Sequence, residues 1–374
     1  MPNLLRYCMP RVRHNGHGLA NEIVPWARAF LAAQLFNARL LPPAFGLNRR
    51  GYGRHFRTSP DDWIFHRTMQ RLLPVVEFTE ADYLAHGGGD AVTALHSFAA
   101  AHALGERSVY LFVTEGMWGG YRHIQAARDF IRSTLYQSRY APGNLLRLRE
   151  RIDPHKILVA MHVRLGDFVA PQTLGAYRRA PNTSLPLEWF HNVAQSLQEA
   201  FDQDWQLLLV SDGDPQQLRE LHSRFPCIIS GDLPYGDCSD LLALASADLL
   251  VCSASCYSSL AAFLAEGPYV WFAPNLHAHP EGCYSMHGDS TEVTSQSAAM
   301  RAALRLFASP AAASSTRGYA VERDGRVPQA VLEAAALRRD LRRWEHDLVR
   351  GGVTPMTHKE REPLTRLGQG REAL

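Results

Sequence analysis

The residues best suited to chemistry stand where short apolar runs end. In Ile157–Asp167 (ILVAMHVRLGD) a largely β-branched run finishes in His162, Arg164, Gly166 and Asp167. A second run ends in Ser211 and Asp212, and a third in Ser253 and Ser255 ahead of a helix beginning near Tyr257. Arginine offers a planar fork of donors to a phosphate. Small hydroxyl residues before a helix leave backbone N–H groups and the positive end of the helix dipole facing outward. Together these groups suit a diphosphate. Ordinary N-capping accounts for Ser253 and Ser255 as well, when they are taken alone. Asp240, read as standing at the start of a helix over Asp240–Ser246, either accepts from a base edge with two adjacent donors, as guanine has, or caps that helix. Asp248 opens a buried strand and reads as structural.

The elements that must position these residues follow from periodicity. Ile157–Val163, Gln206–Ser211, Cys227–Ser230, Asp248–Cys252 and Tyr269–Phe272 are apolar strands. Helices over Leu187–Phe201, Gln216–Phe225, Asp240–Ser246 and Tyr257–Ala265 alternate with them. Such alternation predicts a parallel sheet with ligands beyond its C-terminal edge. The first half also alternates: strands at Leu4–Met9, Ala38–Leu41, Val75–Phe78 and Val109–Val113, and helices over Leu19–Phe36, Trp63–Leu73 and Gly119–Tyr140. Between the first strand and first helix lies a turn with Gly16, His17 and Gly18, which lets backbone approach a ligand or is simply tight. Gly46–Asp61 reads as a substrate lid or a mobile surface, and its Arg49, Arg50, Arg54 and Arg57 as a solvated face. Arg147–Pro154 is the expected boundary, giving domains over residues 1–150 and 151–326. Ala298–Phe307 and Gln329–Leu348 are amphipathic helices, and the tail from Gly351 is polar and expected to be poorly ordered.

With 374 residues, 46% hydrophobic and 20% charged, the chain is long enough for two domains of a globular protein. A formal charge of +2 gives no case for nucleic-acid binding. No apolar run is long enough to span a membrane, and MPNLLRYCMPRVR lacks the features of a secretory signal. The six cysteines form no C-x-x-C pair, and Cys252 and Cys256 read as core packing. A cytoplasmic, disulfide-free protein is expected. His277, His279, Glu281, Cys283 and His287 share a loop without a standard metal spacing. Neither a G-x-S-x-G elbow nor a Walker motif nor a strand-linked G-x-G-x-x-G occurs.

These pieces, in order, resemble the fucosyltransferase superfamily of inverting glycosyltransferases with the GT-B fold: the α1,6- and nodulation, α1,2- and protein O-fucosyltransferases. His162-Val163-Arg164 with Gly166-Asp167 is similar to the H-x-R-x-(G)-D motif, Leu208–Asp212 (LLVSD) to the second motif, and Asp240–Ser255 (DLLALASADLLVCSAS) to the third. Gly16–Asn21 (GHGLAN), with Ala27–Ala29 following, resembles the G-x-L-G-N-Q opening.

The resemblance implies two Rossmann-like domains across a cleft, a GDP-sugar as co-substrate, and inversion with no metal or other cofactor. Gln329–Leu348 would cross back to the first domain. Arg164 would clamp the β-phosphate, His162 and Asp240 would contact guanine, and Ser253, Ser255 and the helix start would hold phosphate oxygens. Cys256, Gly18, Asn21, Ser211 and Asp212 complete the expected donor site. Three positions depart from the pattern: Leu165 replaces a second arginine, Cys256 a phosphate-contacting serine, and Gln172 an acidic residue. For the base, His17 is the first candidate, with Glu22 and Asp167 as rivals. The expected activity moves a sugar, fucose first, to a hydroxyl of a glycan, peptide or natural product. Alternatives are another GDP-hexose in secondary-metabolite glycosylation, or an inactive nucleotide- or glycan-binding protein. Oligomeric state is left open.

Overall fold

A computed structural model describes residues 5–12, 17–86, 90–116, 118, 121–173, 177, 183–275 and 317–351, with backbone alone at 122 and 343–351. Two fully parallel sheets organise it. The first carries β1 (Leu5–Pro10), β2 (Arg39–Leu40), β3 (Val75–Phe78) and β4 (Val109–Thr114) in the order β2-β1-β4-β3. The second carries β5 (Ile157–Val163), β6 (Trp205–Ser211), β7 (Cys227–Ile229), β8 (Leu249–Val251), β9 (Tyr269–Phe272) and β10 (Gly318–Val321) in the order β10-β9-β8-β5-β6-β7.

Counted within its own half, the second sheet reads 6-5-4-1-2-3, the doubly wound order of a dinucleotide-binding fold. The chain order reverses between β5 and β8, which pair in parallel through Val159–Leu249, Ala160–Leu250 and Met161–Val251. All seven residues of β5 are buried, as a strand covered on both faces requires. The whole is mixed α/β with two Rossmann-like sheets, the architecture expected of a GT-B chain.

The helices of nine or more residues among the described ones are α1 (Leu19–Phe36), α2 (Pro60–Leu72), α3 (Ala91–Ala101), α4 (Arg128–Tyr136), α5 (Ala141–Arg151), α6 (Leu187–Phe201), α7 (Asp237–Ser246), α8 (Cys256–Leu264) and α9 (Gln329–Gly351). The start of α2 is fixed locally: Ser59 Oγ accepts from the Asp61 N–H at 3.2 Å, Asp62 accepts from the Ser59 N–H at 2.6 Å, and Pro60 is the first helical residue.

The helix expected over Gly119–Tyr140 is broken: a 3-10 turn at Arg122–Ala127 contains Ile124 at φ −102° and ψ 19°, and regular helix begins at Arg128. At the expected boundary, Arg147–Pro154, α5 runs through Arg151 and touches the second half. Asn144 Nδ2 donates to the Pro234 carbonyl at 2.9 Å, and Arg151 pairs with Asp232 at 2.8 Å. Likewise Arg128 of α4 donates to the Leu264 and Ala265 carbonyls. One hydrophobic cluster consequently runs from α1 through α4 and α5 into α7 and α8.

The described side chains of α9 pack on the second sheet. Val331 and Ala335 join its core, and Arg342 pairs with the buried Asp248 at 2.7 Å while donating to the Lys156 carbonyl at 2.6 Å. Asp248 also accepts from the Leu158 N–H at 2.7 Å, as a structural residue would. The Ala298–Phe307 helix, the tail beyond Gly351 and the His277–His287 loop lie outside the described residues. β10 was not anticipated. It is a four-residue edge strand whose Gly318 lies against the Tyr269 ring, where a Cβ would overlap it.

Candidate functional site

The crevice between β5 and β8 is built from four chain turns. At the end of β5, Arg164 forms ion pairs through both terminal nitrogens, to Asp167 and to Asp212, and its guanidinium centre lies 4.9 Å from the Phe168 ring centroid. Asp212 also accepts from the Leu165 N–H at 2.9 Å and the Gly166 N–H at 3.2 Å. That clamp explains Gly166, because a Cβ there would overlap the Asp212 carboxylate. Ser211 faces inward: its hydroxyl donates to the Val163 carbonyl at 2.6 Å and accepts from the Gly213 N–H at 3.0 Å. Ser211 and Asp212 therefore shape the loop that carries Arg164.

After β8, hydroxyl groups and His162 form one network. Ser255 is the N-cap of α8, accepting from the Ser258 N–H at 3.2 Å, so the capping role is real. Ser253 Oγ lies 3.0 Å from both Ser255 Oγ and His162 Nδ1. Ser258, missed in the sequence, accepts from the Ser253 N–H at 2.9 Å and lies 2.7 Å from His162 Nδ1. Ser253 Oγ and Ser258 Oγ lie 3.1 Å apart, so the two hydroxyls and Nδ1 form one hydrogen-bonded triangle. His162 is 4% exposed. Burial, reinforced by the Arg164 charge, pushes its pKa down to about 3. It is a neutral imidazole, not a cation.

The third turn is the start of α7. That helix begins at Asp237 with Gly236 as N-cap, so Asp240 sits inside its first turn and cannot cap it. This corrects the expected helix start. Asp240 Oδ1 is buried with no hydrogen-bond partner, and burial, with the Asp237 and Asp232 charges behind it, outweighs the opposing effect of the Ser230 hydroxyl and pushes its pKa up to about 7. Asp237, one turn earlier, goes the other way. Burial would raise it, but the hydrogen bond and charge of His55 outweigh that and hold it below its ordinary value. One helix turn thus presents an ionised carboxylate and one poised near neutrality. His162, Ser211, Asp212, Asp237, Asp240 and Tyr257 are among the walls of a cavity of about 270 Å³.

The fourth contribution comes from the first half. The Gly46–Asp61 segment docks on the second half, while its Arg49, Arg50, Arg54 and Arg57 stay exposed, as a solvated face would. His55, 1% exposed in a short helix (Gly53–Phe56), donates from Nε2 to Asp237 at 3.0 Å. Arg50 Nη2 lies 3.5 Å from Asp167 Oδ2, and Arg54 stacks on the Tyr235 ring at 4.8 Å. Tyr52 Oη accepts from the Leu19 N–H at 2.8 Å, capping α1 in place of Gly18, which has no side chain to do so.

The N-terminal candidates surround that same helix start. His17 is half-buried, Gly18 is the N-cap, and Glu22 is 3% exposed in the first turn. Asn21 Oδ1 is buried without a partner. Tyr121, also missed in the sequence, brings this cluster to the serine network: its hydroxyl lies 3.2 Å from both the Ala20 and the Cys256 carbonyls. The N-termini of α1 and α8 therefore face one another. Cys256 contributes this carbonyl as the first residue of α8.

Among the described residues no group of three or more His, Cys, Asp or Glu side chains is assembled to hold a metal ion, and no helix is long and apolar enough to cross a membrane. No protein-family model and no curated protein matches the chain. Among solved structures, a mutant of Arabidopsis thaliana FUT1 in complex with GDP is similar over 71% of this chain and 69% of that chain, with 13% identity and a TM-score of 0.40.

Proposed function

We propose that the protein is an inverting, metal-independent glycosyltransferase that moves a sugar, fucose first, from a GDP-sugar to an acceptor hydroxyl. One observation carries this: Arg164 follows β5 and α8 follows β8, the two strands between which the order of the second sheet reverses, and the unpartnered Asp240 oxygen belongs to a residue on the wall of the cavity that His162, Asp212 and Tyr257 also line. The guanine N1–H and amino group are the adjacent donors from which an ionised Asp240 would accept, with the His162 ring as a further polar contact. Arg164 and the N–H groups ahead of α8 would meet the diphosphate.

Bond breaking then runs between the sugar anomeric carbon and the β-phosphate oxygen, whose charge Arg164 offsets as GDP leaves. The acceptor oxygen bonds to the opposite face of that carbon and loses its proton. His17 and Glu22 stand at the α1 start, opposite α8, as candidates to take it. Asp167 is less suited, because its ion pairing with Arg164 and Arg50 outweighs burial and holds its pKa below the ordinary value. Acceptors in this reading are hydroxyls of glycans, peptides or natural products.

A titration panel of GDP, UDP, ADP and CDP, with Mg²⁺ and with EDTA, tests the donor class. Selective GDP binding that EDTA leaves unchanged supports the assignment; preference for another nucleotide or a Mg²⁺ requirement overturns it. Release of GDP from GDP-fucose against other GDP-hexoses then sets the sugar, and binding without turnover would reveal a nucleotide-binding protein instead.

A further inference from the structure

We propose that Arg50 is a second diphosphate cation, delivered from the first half of the chain, and that the Asp167 carboxylate holds the anion's place between it and Arg164. The inference rests on the GDP-sugar reading and adds a residue to its phosphate site. A lone arginine is a thin complement to a diphosphate, and Leu165, the residue after Arg164, brings no charge. The fold supplies the missing charge from elsewhere. Asp167 Oδ1 takes Arg164 Nη2, while its Oδ2 lies 3.5 Å from Arg50 Nη2, so one carboxylate bridges guanidinium groups from the two halves.

The two carboxylates on Arg164 are not equivalent. Asp212 is pinned by the Leu165 and Gly166 N–H groups and stays with the loop. Asp167 lies on a surface turn with its side chain 53% exposed, and exposed ion pairs of this kind contribute little to stability. Arg50, Arg164, Asp167 and Asp212 together are neutral. When Asp167 swings aside, the two guanidinium groups it bridged turn to the incoming anion, while Asp212 and the Phe168 ring keep Arg164 aimed. Arg50 is carried on the segment that His55 anchors to Asp237, on the wall of the same cavity, so phosphate binding would draw both halves together.

Calorimetry with GDP and with guanosine separates this role from a structural one. Arg50→Gln should weaken GDP about tenfold and leave guanosine unchanged, with Arg50→Lys falling between. Asp167→Asn should bind GDP at least as tightly as the wild type, since the competing anion is gone. Unchanged GDP affinity in Arg50→Gln, an equal loss for guanosine, or weaker GDP binding by Asp167→Asn would each overturn the proposal. Arg164→Ala is run alongside. If it loses GDP while Arg50→Gln does not, Arg50 is excluded and the donor site stands. If the wild type binds neither probe, the donor reading fails and takes the proposal with it.

Discussion

On the proposed function, Asp240→Asn should make the protein more stable and less able to bind guanosine. The carboxyl sits with one oxygen buried and unpartnered, and its pKa is raised from 3.8 to about 7, first by burial and then by Asp237 and Asp232. A shift of about three pKa units corresponds to ~4 kcal/mol as an upper bound on the cost of ionising this group in the fold. The folded state binds more protons than the unfolded state between pH 3.8 and about 7. Its contribution is therefore favourable below the unfolded value and lost as pH rises through the folded one. Asparagine cannot ionise, so urea unfolding should show the variant more stable at pH 8.5, by up to ~4 kcal/mol, with the gap closing toward pH 4. Binding should run the opposite way. Guanosine has no phosphate to titrate, and its adjacent donors require the ionised carboxylate. Wild-type affinity should fall about tenfold from pH 8 to pH 6, and Asp240→Asn should be weak at both. A variant no more stable at pH 8.5, or one binding guanosine as tightly as wild type, would refute the reasoning.

Other consequences follow from single contacts. Arg342→Ala leaves Asp248 buried without its cation and should cost about 3 kcal/mol in urea unfolding, with Arg342→Lys recovering part of it. His162 has its pKa lowered to about 3, so the unfolded state binds more protons between there and 6.5, and this group adds stability as pH rises across that window. Measured in an Asp240→Asn background, which removes the opposing slope, His162→Gln should flatten the rise, by up to ~1.4 kcal/mol per pH unit. Gly166→Ala displaces the Asp212 carboxylate from the loop N–H groups. It should cost about 1 kcal/mol of stability but roughly tenfold in GDP affinity, because Arg164 loses its fixed partner.

Much of this arrangement is legible in the chain. A strand buried on both faces reads as a continuous apolar run, so β5, β6, β8 and β9 stand out, and residues just past their ends identify the crevice. Ser255 was open between cap and ligand group because one hydroxyl can serve both uses. Asp240 was open between a base contact and a cap because α7 starts three residues earlier, after a glycine N-cap, without a side-chain signal. The role of Gly46–Asp61 was hidden for a different reason. Its composition is that of any polar loop, and the partner of His55 lies 182 residues away, a distance no local pattern spans. Tyr121 and Ser258 escaped likewise, since each acts through carbonyls or hydroxyls brought near only by folding.

The central claim is that Arg164, held at the reversal of the second sheet, receives the diphosphate of a guanine nucleotide. Calorimetric titration of wild type and Arg164→Ala with GDP and with guanosine tests it most directly. Wild type should bind GDP more tightly than guanosine in the presence of EDTA, and Arg164→Ala should lose that difference while retaining guanosine binding and a cooperative fold. An Arg164→Ala protein that still prefers GDP over guanosine as strongly as wild type would contradict it.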